Sequence, residues 1–515
     1  MNKLWSSICH HAQQRPDDAA ILSYAQSLEF ALTWQQLRDS AQSLAQRLLR
    51  DNIKVLALQA GNSPAWILAD IACSLQGIII LPLPDFFSDQ QIEHALSLVN
   101  VDALLSDHVQ AFTQSTSSQF RLEGELLGLS YLLANKSSQN RNAGAIVPPQ
   151  TQKITFTSGS TGTPKGVCLS AEHQKVVCSS LLEATQPCAI ERHLCVLPLA
   201  TLLENIAGVH APLSTGAQVI VADATNLGFN GATGFALHVF LDALSHCRPN
   251  SMILTPQLLE ALVLSCDAGW QLPDSLKFIA VGGATVSPEL LQRAWAHNLP
   301  VYEGYGLSEC ASVVSLNTPK ARKNGSLGKV LPHTQVTIEN GEIIVNGPRF
   351  LGYVGEPESW TCHTNTQRVA TGDLGYFDNE GYLYYQGRRK NLLVSSYGRN
   401  IAPEWVEAEL NAQAEIGQSI VFGDSQPYCV ALIAPRTAQV THEMINAAVQ
   451  RVNAKLPSYA AVQRWLQLPA ALARGSGQEE DLMTSNGRPR RAQIQKHFQT
   501  EIALLYAQES TTNAM

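Results

Sequence analysis

The chain has 515 residues, of which 45% are apolar and 15% are charged. This composition excludes an intrinsically disordered chain, because the apolar surface is sufficient for a folded core. Lysine and arginine number 35 against 43 aspartates and glutamates, which gives a formal charge of −8. An acidic balance with no long basic run argues against a nucleic-acid partner.

The sequence predicts no membrane span and no secretion signal. The most apolar run, GIIILPL from Gly77, is far shorter than the ~20 residues that a transmembrane helix needs. The segment before Pro16 has no hydrophobic core of signal-peptide length. The 11 cysteines include no C-x-x-C pair, so we expect free thiols in a reducing, cytoplasmic setting.

Short apolar runs alternate with helical patterns along the chain. The spacing of apolar residues predicts amphipathic helices over 33–49 and 287–296. Buried strands are predicted over 55–58, 77–83, 154–157, 218–221, 278–281 and 300–302. This alternation is typical of an α/β fold with largely parallel sheets.

The pattern changes after Gly341, where strands become closely spaced. Turns are predicted at Asn340-Gly341, Asn346-Gly347 and Glu380-Gly381, which indicates a small β-rich unit. A final α+β segment is predicted after Asn391. Polar or charged connections are predicted over 135–150, 387–391 and 474–491.

The segment TFTSGSTGTPKG, Thr155 to Gly166, has the composition of a polyphosphate-binding loop. Glycines let backbone N–H groups approach an anion, hydroxyls donate hydrogen bonds to it, and Lys165 adds a positive charge. The segment is not a Walker loop, because Pro164 and Gly166 flank the lysine. A flexible linker is the alternative, but a linker needs neither the lysine nor flanking strands.

This loop resembles the signature loop of the adenylate-forming superfamily, which includes acyl-CoA synthetases, the adenylation domains of peptide synthetases and luciferases. Fatty acyl-CoA synthetases are the most similar branch. Five further segments match in order: GYGLSE at 304, GEIIVNGP at 341, TGDLGYFDNEGYL at 371, GRRKNLLVSSYGRNIAPEWVE at 387 and TSNGRPRR at 484.

The resemblance implies an α/β N-terminal adenylation core over 1–389, built from stacked mixed sheets, with a β-rich subdomain at about 325–389. A small, mobile α+β lid over 390–515 would follow. It also implies ATP and Mg²⁺ as cofactors. By motif match it assigns ATP or AMP binding to Thr157, Ser158, Gly159, Ser160, Thr161, Gly162, Lys165, Gly282, Gly283, Ala284, Tyr305, Gly306, Ser308, Asp373 and Arg388.

Several of these roles have a physical reason. Tyr305 stands between two glycines, so one ring face is available to stack on adenine, although an ordinary core tyrosine fits the residue type as well. Asp373 and Arg388 suit the hydroxyls of a ribose, and a surface ion pair is the alternative. Glu309 matches the family's Mg²⁺ ligand, since carboxylate oxygen suits a hard cation. Ser308 stands where the family usually has threonine and keeps the hydroxyl.

The C-terminal segment departs from the family pattern. In the family, a lysine of this segment bridges the substrate carboxylate and the α-phosphate, and here Arg488 stands in its place. Arginine keeps the charge but is planar and bulkier, so the exchange is not conservative at a tight site. We interpret Arg488 as a working substitute, and impaired adenylation is the alternative. The resemblance thus predicts a catalytic set of Arg488, Lys165, Glu309 and Ser308. By resemblance, Lys390 is the hinge, and Gly398 lies beside the channel for a thiol acceptor.

One segment and two apolar stretches bear on the choice of acid. LPLATLLENIAGV, from Leu197, resembles a segment of fatty acyl-CoA synthetases, with Thr201 where many carry histidine. Leu199 stands where amino-acid-activating domains usually carry aspartate, so an amino-acid substrate is disfavoured. The apolar stretches 202–213 and 252–264 either line a tunnel for an acyl chain or belong to the core. Only fifteen residues separate Glu309 from Gly325, so we expect no insertion of the kind that fatty acyl-AMP ligases carry there.

The sequence therefore predicts ATP-dependent conversion of a medium- or long-chain fatty acid to acyl-AMP. Transfer to CoA or to the phosphopantetheine of a separate acyl carrier protein would follow. Two alternatives stay open: a non-catalytic or partially active acyl- or AMP-binding protein, because of Arg488, and an adenylating enzyme for another non-amino acid. Neither a nucleic-acid partner nor transmembrane insertion is expected.

Overall fold

The computed structural model describes residues 3–25, 30–85, 87–107, 119–135, 147–157, 164–230, 234–361, 368–469, 472, 482–483 and 489–507. Of the predicted site residues, Ser158, Gly159, Ser160, Thr161, Gly162 and Arg488 lie outside these residues. No helix in the described part is long and apolar enough to cross a membrane.

The helices begin and end as follows: α1 (Lys3–Gln14), α2 (Trp34–Arg50), α3 (Pro64–Gln76), α4 (Asp89–Leu98), α5 (Ala171–Thr185), α6 (Ala211–Thr215), α7 (Leu237–Cys247), α8 (Pro256–Asp267), α9 (Pro288–Ala296), α10 (Pro403–Asn411), α11 (His442–Asn453), α12 (Arg491–His497) and α13 (Gln499–Ala507). A π-helical turn, Glu204–His210, precedes α6.

The strands are β1 (Ala19–Tyr24), β2 (Phe30–Thr33), β3 (Val55–Gln59), β4 (Ile79–Pro82), β5 (Ala103–Ser106), β6 (Phe120–Leu126), β7 (Leu129–Ala134), β8 (Lys153–Thr157), β9 (Lys165–Leu169), β10 (Arg192–Leu194), β11 (Gln218–Ala222), β12 (Phe229–Asn230), β13 (Gly234–Phe235), β14 (Ser251–Leu254), β15 (Phe278–Val281), β16 (Val301–Tyr305), β17 (Ser315–Leu316), β18 (Lys329–Val330), β19 (Gln335–Glu339), β20 (Glu342–Asn346), β21 (Gly352–Tyr353), β22 (Arg368–Phe377), β23 (Leu383–Arg388), β24 (Leu393–Val394), β25 (Asn400–Ile401), β26 (Ile416–Phe422), β27 (Cys429–Pro435) and β28 (Val462–Gln467).

Two large mixed sheets form the N-terminal part. Among the described residues, the first has nine strands in the order β18-β17-β16-β15-β14-β10-β11-β1-β2, and its central strands are parallel. The second has eight strands in the order β21-β9-β8-β4-β3-β5-β7-β6. Helices pack on both sheets, and Trp34 and Trp66 are fully buried in the hydrophobic core. This confirms the predicted α/β class.

Two smaller sheets follow. The antiparallel sheet β19-β20-β22-β23 is a separate β-rich layer, and β26-β27-β28 forms the sheet of the C-terminal part. The predicted Asn340-Gly341 turn joins β19 and β20. Both of its residues have positive φ, 50° and 78°, as a tight hairpin turn requires.

Helix and strand boundaries follow local chemistry. The helix predicted from residue 33 begins at Trp34, because the Thr33 hydroxyl caps it and accepts a hydrogen bond from the Gln36 N–H. Ser287 caps α9 in the same way, and Pro288 occupies its first position. The strand predicted over 77–83 is shorter, Ile79–Pro82, because Gly77 ends α3 with φ of 66°.

Ion pairs join the C-terminal part to the large N-terminal part. Arg436, after β27, donates to Glu260 of α8 at 2.6 Å, and its guanidinium also donates to the Ile416 carbonyl. Lys455, after α11, pairs with Glu289 of α9. Burial raises the pKa of Glu260 to about 7, although the Arg436 charge opposes this effect. Ion pairs therefore contribute to the contact between the N-terminal and C-terminal parts.

Candidate active site

The strands that flank the predicted phosphate loop lie side by side. β8 and β9 are antiparallel neighbours in the eight-stranded sheet, and Thr157 lies directly opposite Lys165. The base of the loop is therefore closed by a pair of strands. This arrangement places Lys165 at the carboxyl end of β8, where the chain enters the Ser158–Gly162 segment.

Lys165 and Glu309 are linked through a tyrosine that the sequence did not single out. The Lys165 ammonium pairs with Glu356 at 2.8 Å and lies 4.8 Å from the centre of the Tyr353 ring. The Tyr353 hydroxyl donates to Glu309 Oε1 at 2.8 Å. Burial, and then the Glu309 charge, raises the pKa of Tyr353, so its hydroxyl remains a donor at neutral pH.

Local sequence gave no signal for Tyr353 and Glu356. Tyr353 lies on the short edge strand β21, which pairs with β9 so that Tyr353 is opposite Val167. Glu356 follows three residues later, near the 3₁₀ turn at Pro357–Ser359. The link to Glu309 spans 44 residues, which only the sheet order reveals.

A buried carboxylate joins the predicted ribose residues. Asp373 is 3% exposed and lies directly opposite Arg388 in the β22–β23 pair. The Arg388 Nε lies 2.8 Å from Asp373 Oδ1, and the Tyr305 hydroxyl donates to Oδ2 at 2.8 Å. The three residues, predicted separately, therefore form one cluster.

The protonation states of this cluster follow from burial and charge. Burial, and next the Asp373 charge, raises the pKa of Tyr305. For Arg388 burial acts to lower the pKa, but the Asp373 carboxylate outweighs it and the pKa lies above its usual value. The neutral phenol of Tyr305 therefore donates a hydrogen bond to the Asp373 carboxylate, and the charged guanidinium of Arg388 pairs with it.

The predicted glycine turn lies at the carboxyl edge of the nine-stranded sheet. Gly282, Gly283 and Ala284 follow β15, whose last residue Val281 is opposite Glu303 of the neighbouring β16. Gly283 has φ of 83°, and a Cβ there would meet nothing within 4 Å. Exposed backbone at the carboxyl ends of parallel strands is a usual location for ligands.

Gly306, Ser308 and Glu309 follow β16 at the same edge. A Cβ on Gly306 would overlap the Ser312 carbonyl, so the close approach of these two backbones requires glycine. Ser308 and Glu309 form a 3₁₀ turn with Cys310. The turn directs the chain from Tyr305 in the strand to Glu309 beside Tyr353.

Glu303 is a buried carboxyl that the sequence analysis did not consider. It lies on β16 and is 5% exposed. Burial raises the pKa of Glu303 to about 8, and a hydrogen bond from the Val286 backbone opposes this effect. A neutral carboxylic acid therefore lies beside the strand end that carries Tyr305.

The predicted hinge and thiol-channel residues lie at the start of the C-terminal part. Lys390 is in the 3₁₀ turn Arg389–Asn391, which connects β23 to β24. Gly398 is at the exposed tip between β24 and β25, with φ of 71°, so the turn itself favours glycine. Met483 and Pro489, which flank residues 484–488 in the sequence, pair as an isolated antiparallel bridge.

The apolar stretches proposed to line an acyl tunnel pack largely within the core. Leu202 and Ile206 belong to one buried cluster, and Leu258, Leu259 and Leu262 to another. Leu199 is 1% exposed and belongs to a third cluster.

A two-sheet α/β core carries a glycine turn and an aromatic residue at one sheet edge, and the adjoining antiparallel sheet adds a carboxylate–guanidinium pair, which together indicate a nucleotide-binding class of protein. The chain belongs to the AMP-binding enzyme family of the adenylate-forming superfamily. Residues 8–354 match the family described as AMP-binding enzyme, and residues 390–510 match the AMP-binding enzyme C-terminal domain. The resemblance inferred from the motifs is thereby confirmed.

Individual relatives have different substrates in their names. The chain is 26% identical over 436 residues to a 2-succinylbenzoate–CoA ligase of Bacillus velezensis, covering 82% of this chain and 85% of that protein. It is 24% identical over 524 residues to the long-chain-fatty-acid–CoA ligase FadD15 of Mycobacterium bovis, covering 86% of each. The fold is similar to that of O-succinylbenzoate coenzyme A synthetase from Bacillus subtilis in complex with ATP and magnesium ion. That match has a TM-score of 0.73 at 21% identity and covers 95% of this chain and 99% of that one.

Proposed function

We propose that this chain is an adenylate-forming acid–thiol ligase. It would convert a carboxylic acid and ATP to acyl-AMP and pyrophosphate, and then transfer the acyl group to the thiol of CoA. The observation that carries the proposal is the cluster of Tyr305, Asp373 and Arg388 next to the glycine turn at 282–284. The two named relatives, both CoA ligases, support it.

In the first step, a carboxylate oxygen of the acid attacks the α-phosphorus of ATP. A new P–O bond forms, the bond to the β-phosphate oxygen breaks, and pyrophosphate leaves. Lys165 is 46% exposed and pairs with a partly exposed glutamate, so we propose that it exchanges Glu356 for the β- and γ-phosphates. Thr157 and the hydroxyls of Ser158, Ser160 and Thr161 would donate to the same phosphates.

Asp373 and Arg388 would bind the ribose, and Tyr305 and the 282–284 turn would contact the adenine. Glu309 fits a magnesium ion by its chemistry, because it offers carboxylate oxygen, which a hard cation prefers. Mg²⁺ bound there would neutralise phosphate charge. The Tyr353 hydroxyl orients Glu309, and we assign it a positioning role. Ser308 would add a hydroxyl beside this carboxylate.

In the second step, the acceptor thiolate attacks the acyl carbon, a C–S bond forms, the bond from that carbon to the phosphate oxygen breaks, and AMP leaves with that oxygen. We propose that the C-terminal part turns about Lys390, withdraws Arg488 and brings the Gly398 turn to the acceptor. Hinges at the ends of elements absorb such rotations. Gly398 is exposed at a tight turn, which leaves it accessible for this movement.

We propose a medium- or long-chain fatty acid as the substrate. The position of Leu199 offers no carboxylate for an α-ammonium group, and one named relative acts on long-chain fatty acids. A second candidate is another non-amino acid, because a 2-succinylbenzoate–CoA ligase is similar to the same extent. A carrier protein as acceptor is the alternative to CoA. A binding protein without turnover is the alternative that Arg488 motivates.

A panel of carboxylic acids tests the proposed reaction and its substrate class. The enzyme is incubated with ATP, Mg²⁺, CoA and either octanoate, palmitate, benzoate or alanine, and AMP and pyrophosphate are measured. We expect turnover with fatty acids, less with benzoate, and none with alanine. Preference for benzoate would support the second candidate, and absence of AMP with every acid would contradict the proposal.

Lys165→Ala should lower the adenylation rate by about 10²–10³-fold, as for other losses of one electrostatic donor. The control is Lys175→Ala. Both lysine side chains are 46% exposed and pair with a glutamate, but Lys175 lies on α5. Equal loss of activity in the two variants would contradict a role for Lys165 in the chemistry.

A further inference from the structure

The 197–201 loop, Leu197 to Thr201, lies at the same sheet edge as the adenine-side turn. The parallel register aligns Leu194 of β10 with Met252 of β14, and Met252 with Ile279 of β15. The loop that follows β10 is therefore two strands from the turn at 282–284, or about 10 Å at the usual strand spacing. An acyl group joined to AMP would extend over a distance of this order.

Two side chains, the half-buried Asn62 and the fully buried Glu204, hold the backbone of this loop. The Asn62 amide donates to the Leu197 carbonyl at 2.9 Å and accepts from the Leu199 N–H at 2.7 Å. Glu204 Oε2 accepts from the Leu197 N–H at 2.9 Å. Both backbone polar groups of Leu197 are thus bonded to side chains instead of a neighbouring strand, so these side chains fix the path of the loop.

Glu204 is itself fixed by a chain of hydrogen bonds. Its Oε1 lies 3.0 Å from His193 Nε2, and His193 Nδ1 lies 2.8 Å from the Ser251 hydroxyl. All three side chains are buried, with Glu204 at 0% exposure. A Cβ on Gly208 would overlap the Glu204 carboxylate, so a glycine is needed there for the pair to fit. The carboxylate therefore has one orientation.

The turn that begins at Glu204 is tied to the strand that leads into the phosphate loop. In the Glu204–His210 turn, Asn205 donates to Asp70 Oδ2 at 2.9 Å, and His210 lies 2.7 Å from the same oxygen. Asp70 pairs with Lys153, the first residue of β8, at 2.7 Å. Burial acts to raise the pKa of Asp70, but Lys153 and His210 outweigh it and the pKa is low. The turn that follows the loop is thus joined to β8 through hydrogen bonds and a buried ion pair.

We propose that Asn62 and Glu204 are positioning residues that fix the 197–201 loop as a wall of the acid-binding pocket, and so determine which carboxylic acids fit. The inference rests on the proposed function. Its basis is that both residues bond to the loop backbone, while neither is among the residues that hold Asp373, Tyr305 or Arg388. A displaced loop should change binding of the acid and leave binding of ATP unchanged.

The test compares Asn62→Ala with Asn453→Ala. Asn453 makes the same pair of bonds, with the carbonyl and N–H of Val462, but in the C-terminal sheet. For Asn62→Ala we expect the KM of the acid to rise about tenfold, the KM of ATP to stay within about twofold, and the relative rates with octanoate, palmitate and benzoate to change. For Asn453→Ala we expect no change in either KM or in selectivity.

Two conservative variants distinguish a positioning role from a general loss of folding. Asn62→Asp keeps the acceptor for the Leu199 N–H and loses the donor to Leu197, so its acid KM should lie between those of the wild type and the alanine variant. Glu204→Gln keeps an acceptor and should also be intermediate. The inference is overturned if the acid KM of Asn62→Ala is unchanged, or if the KM of ATP rises by the same factor.

Failure of the proposed function gives a different result. If the wild type consumes no ATP with any acid, that function is wrong, and binding of dodecanoyl sulfamoyladenosine measured by calorimetry then decides the inference. Weaker binding to Asn62→Ala than to the wild type, with unchanged binding of AMP, would support it. Equal binding of the acyl compound to both proteins would overturn it.

Discussion

Replacement of Glu303 by glutamine probes the electrostatics of the strand that carries Tyr305. Glu303 is buried on β16, and the group that favours its charged form is a neutral backbone N–H, that of Val286. Burial raises the pKa of Glu303 from 4.5 to about 8. At neutral pH the folded protein therefore holds a proton on this carboxyl that the unfolded chain has lost.

The sign and size of the effect follow from proton linkage. Because the pKa is higher in the folded state, burial of Glu303 costs no stability below pH 4.5, where the carboxyl is protonated in both states. As the pH rises towards 8, the unfolded chain loses this proton first, and the free energy of unfolding falls. At about 1.4 kcal/mol for each pH unit, the whole interval corresponds to about 5 kcal/mol. Glutamine does not ionise and still offers an acceptor to the Val286 N–H, so Glu303→Gln removes this loss.

The measurement is guanidinium unfolding of the wild type and the variant at about pH 5 and about pH 9. We expect similar free energies of unfolding near pH 5, and a variant more stable by about 3–5 kcal/mol near pH 9. Glu172→Gln is the control, because Glu172 is 66% exposed and should show no such difference. A difference between wild type and Glu303→Gln that does not change with pH would refute the reasoning.

Three further predictions concern the reaction itself. Tyr353→Phe removes the hydroxyl that orients Glu309, so we expect about a tenfold lower adenylation rate and a higher Mg²⁺ requirement, with a normal melting temperature. An unchanged Mg²⁺ requirement would exclude the positioning role. Arg488→Lys should keep or raise the rate of pyrophosphate exchange and Arg488→Ala should lower it, whereas an unaffected alanine variant would remove Arg488 from the chemistry. Lys390→Pro should slow thioester formation more than adenylation in separate half-reaction assays, and equal slowing of both would contradict a hinge at this residue.

Local patterns were sufficient to predict much of the fold. Strands such as β15, Phe278–Val281, have the predicted bounds, because a short apolar run between turns is a strong local signal. The hairpin turn at Asn340-Gly341 is also where its residue types predicted it. The strand predicted over 300–302 continues to Tyr305, because Gly304 and Tyr305 pair with β17, which is an antiparallel contact that periodicity does not reveal.

The candidate site was predictable only where a motif marks it. Asp373, Arg388 and Tyr305 were named from separate motifs, and the β22–β23 register brings them together. Tyr353 and Asn62 bond to partners 44 and more than 130 residues away in the sequence, so no local pattern could identify them. Such contacts depend on sheet order and on the packing of the two sheets against each other.

The central claim is that a bound acid captures AMP from ATP at this site. Its most direct measurement uses palmitate labelled with heavy oxygen in the carboxylate, incubated with the enzyme, ATP, Mg²⁺ and CoA. Mass spectrometry of the products should find one labelled oxygen in AMP and an equal amount of palmitoyl-CoA, because the carboxylate oxygen that attacks phosphorus leaves with AMP. Unlabelled AMP, or no AMP with this and every other acid of the panel, would contradict the claim.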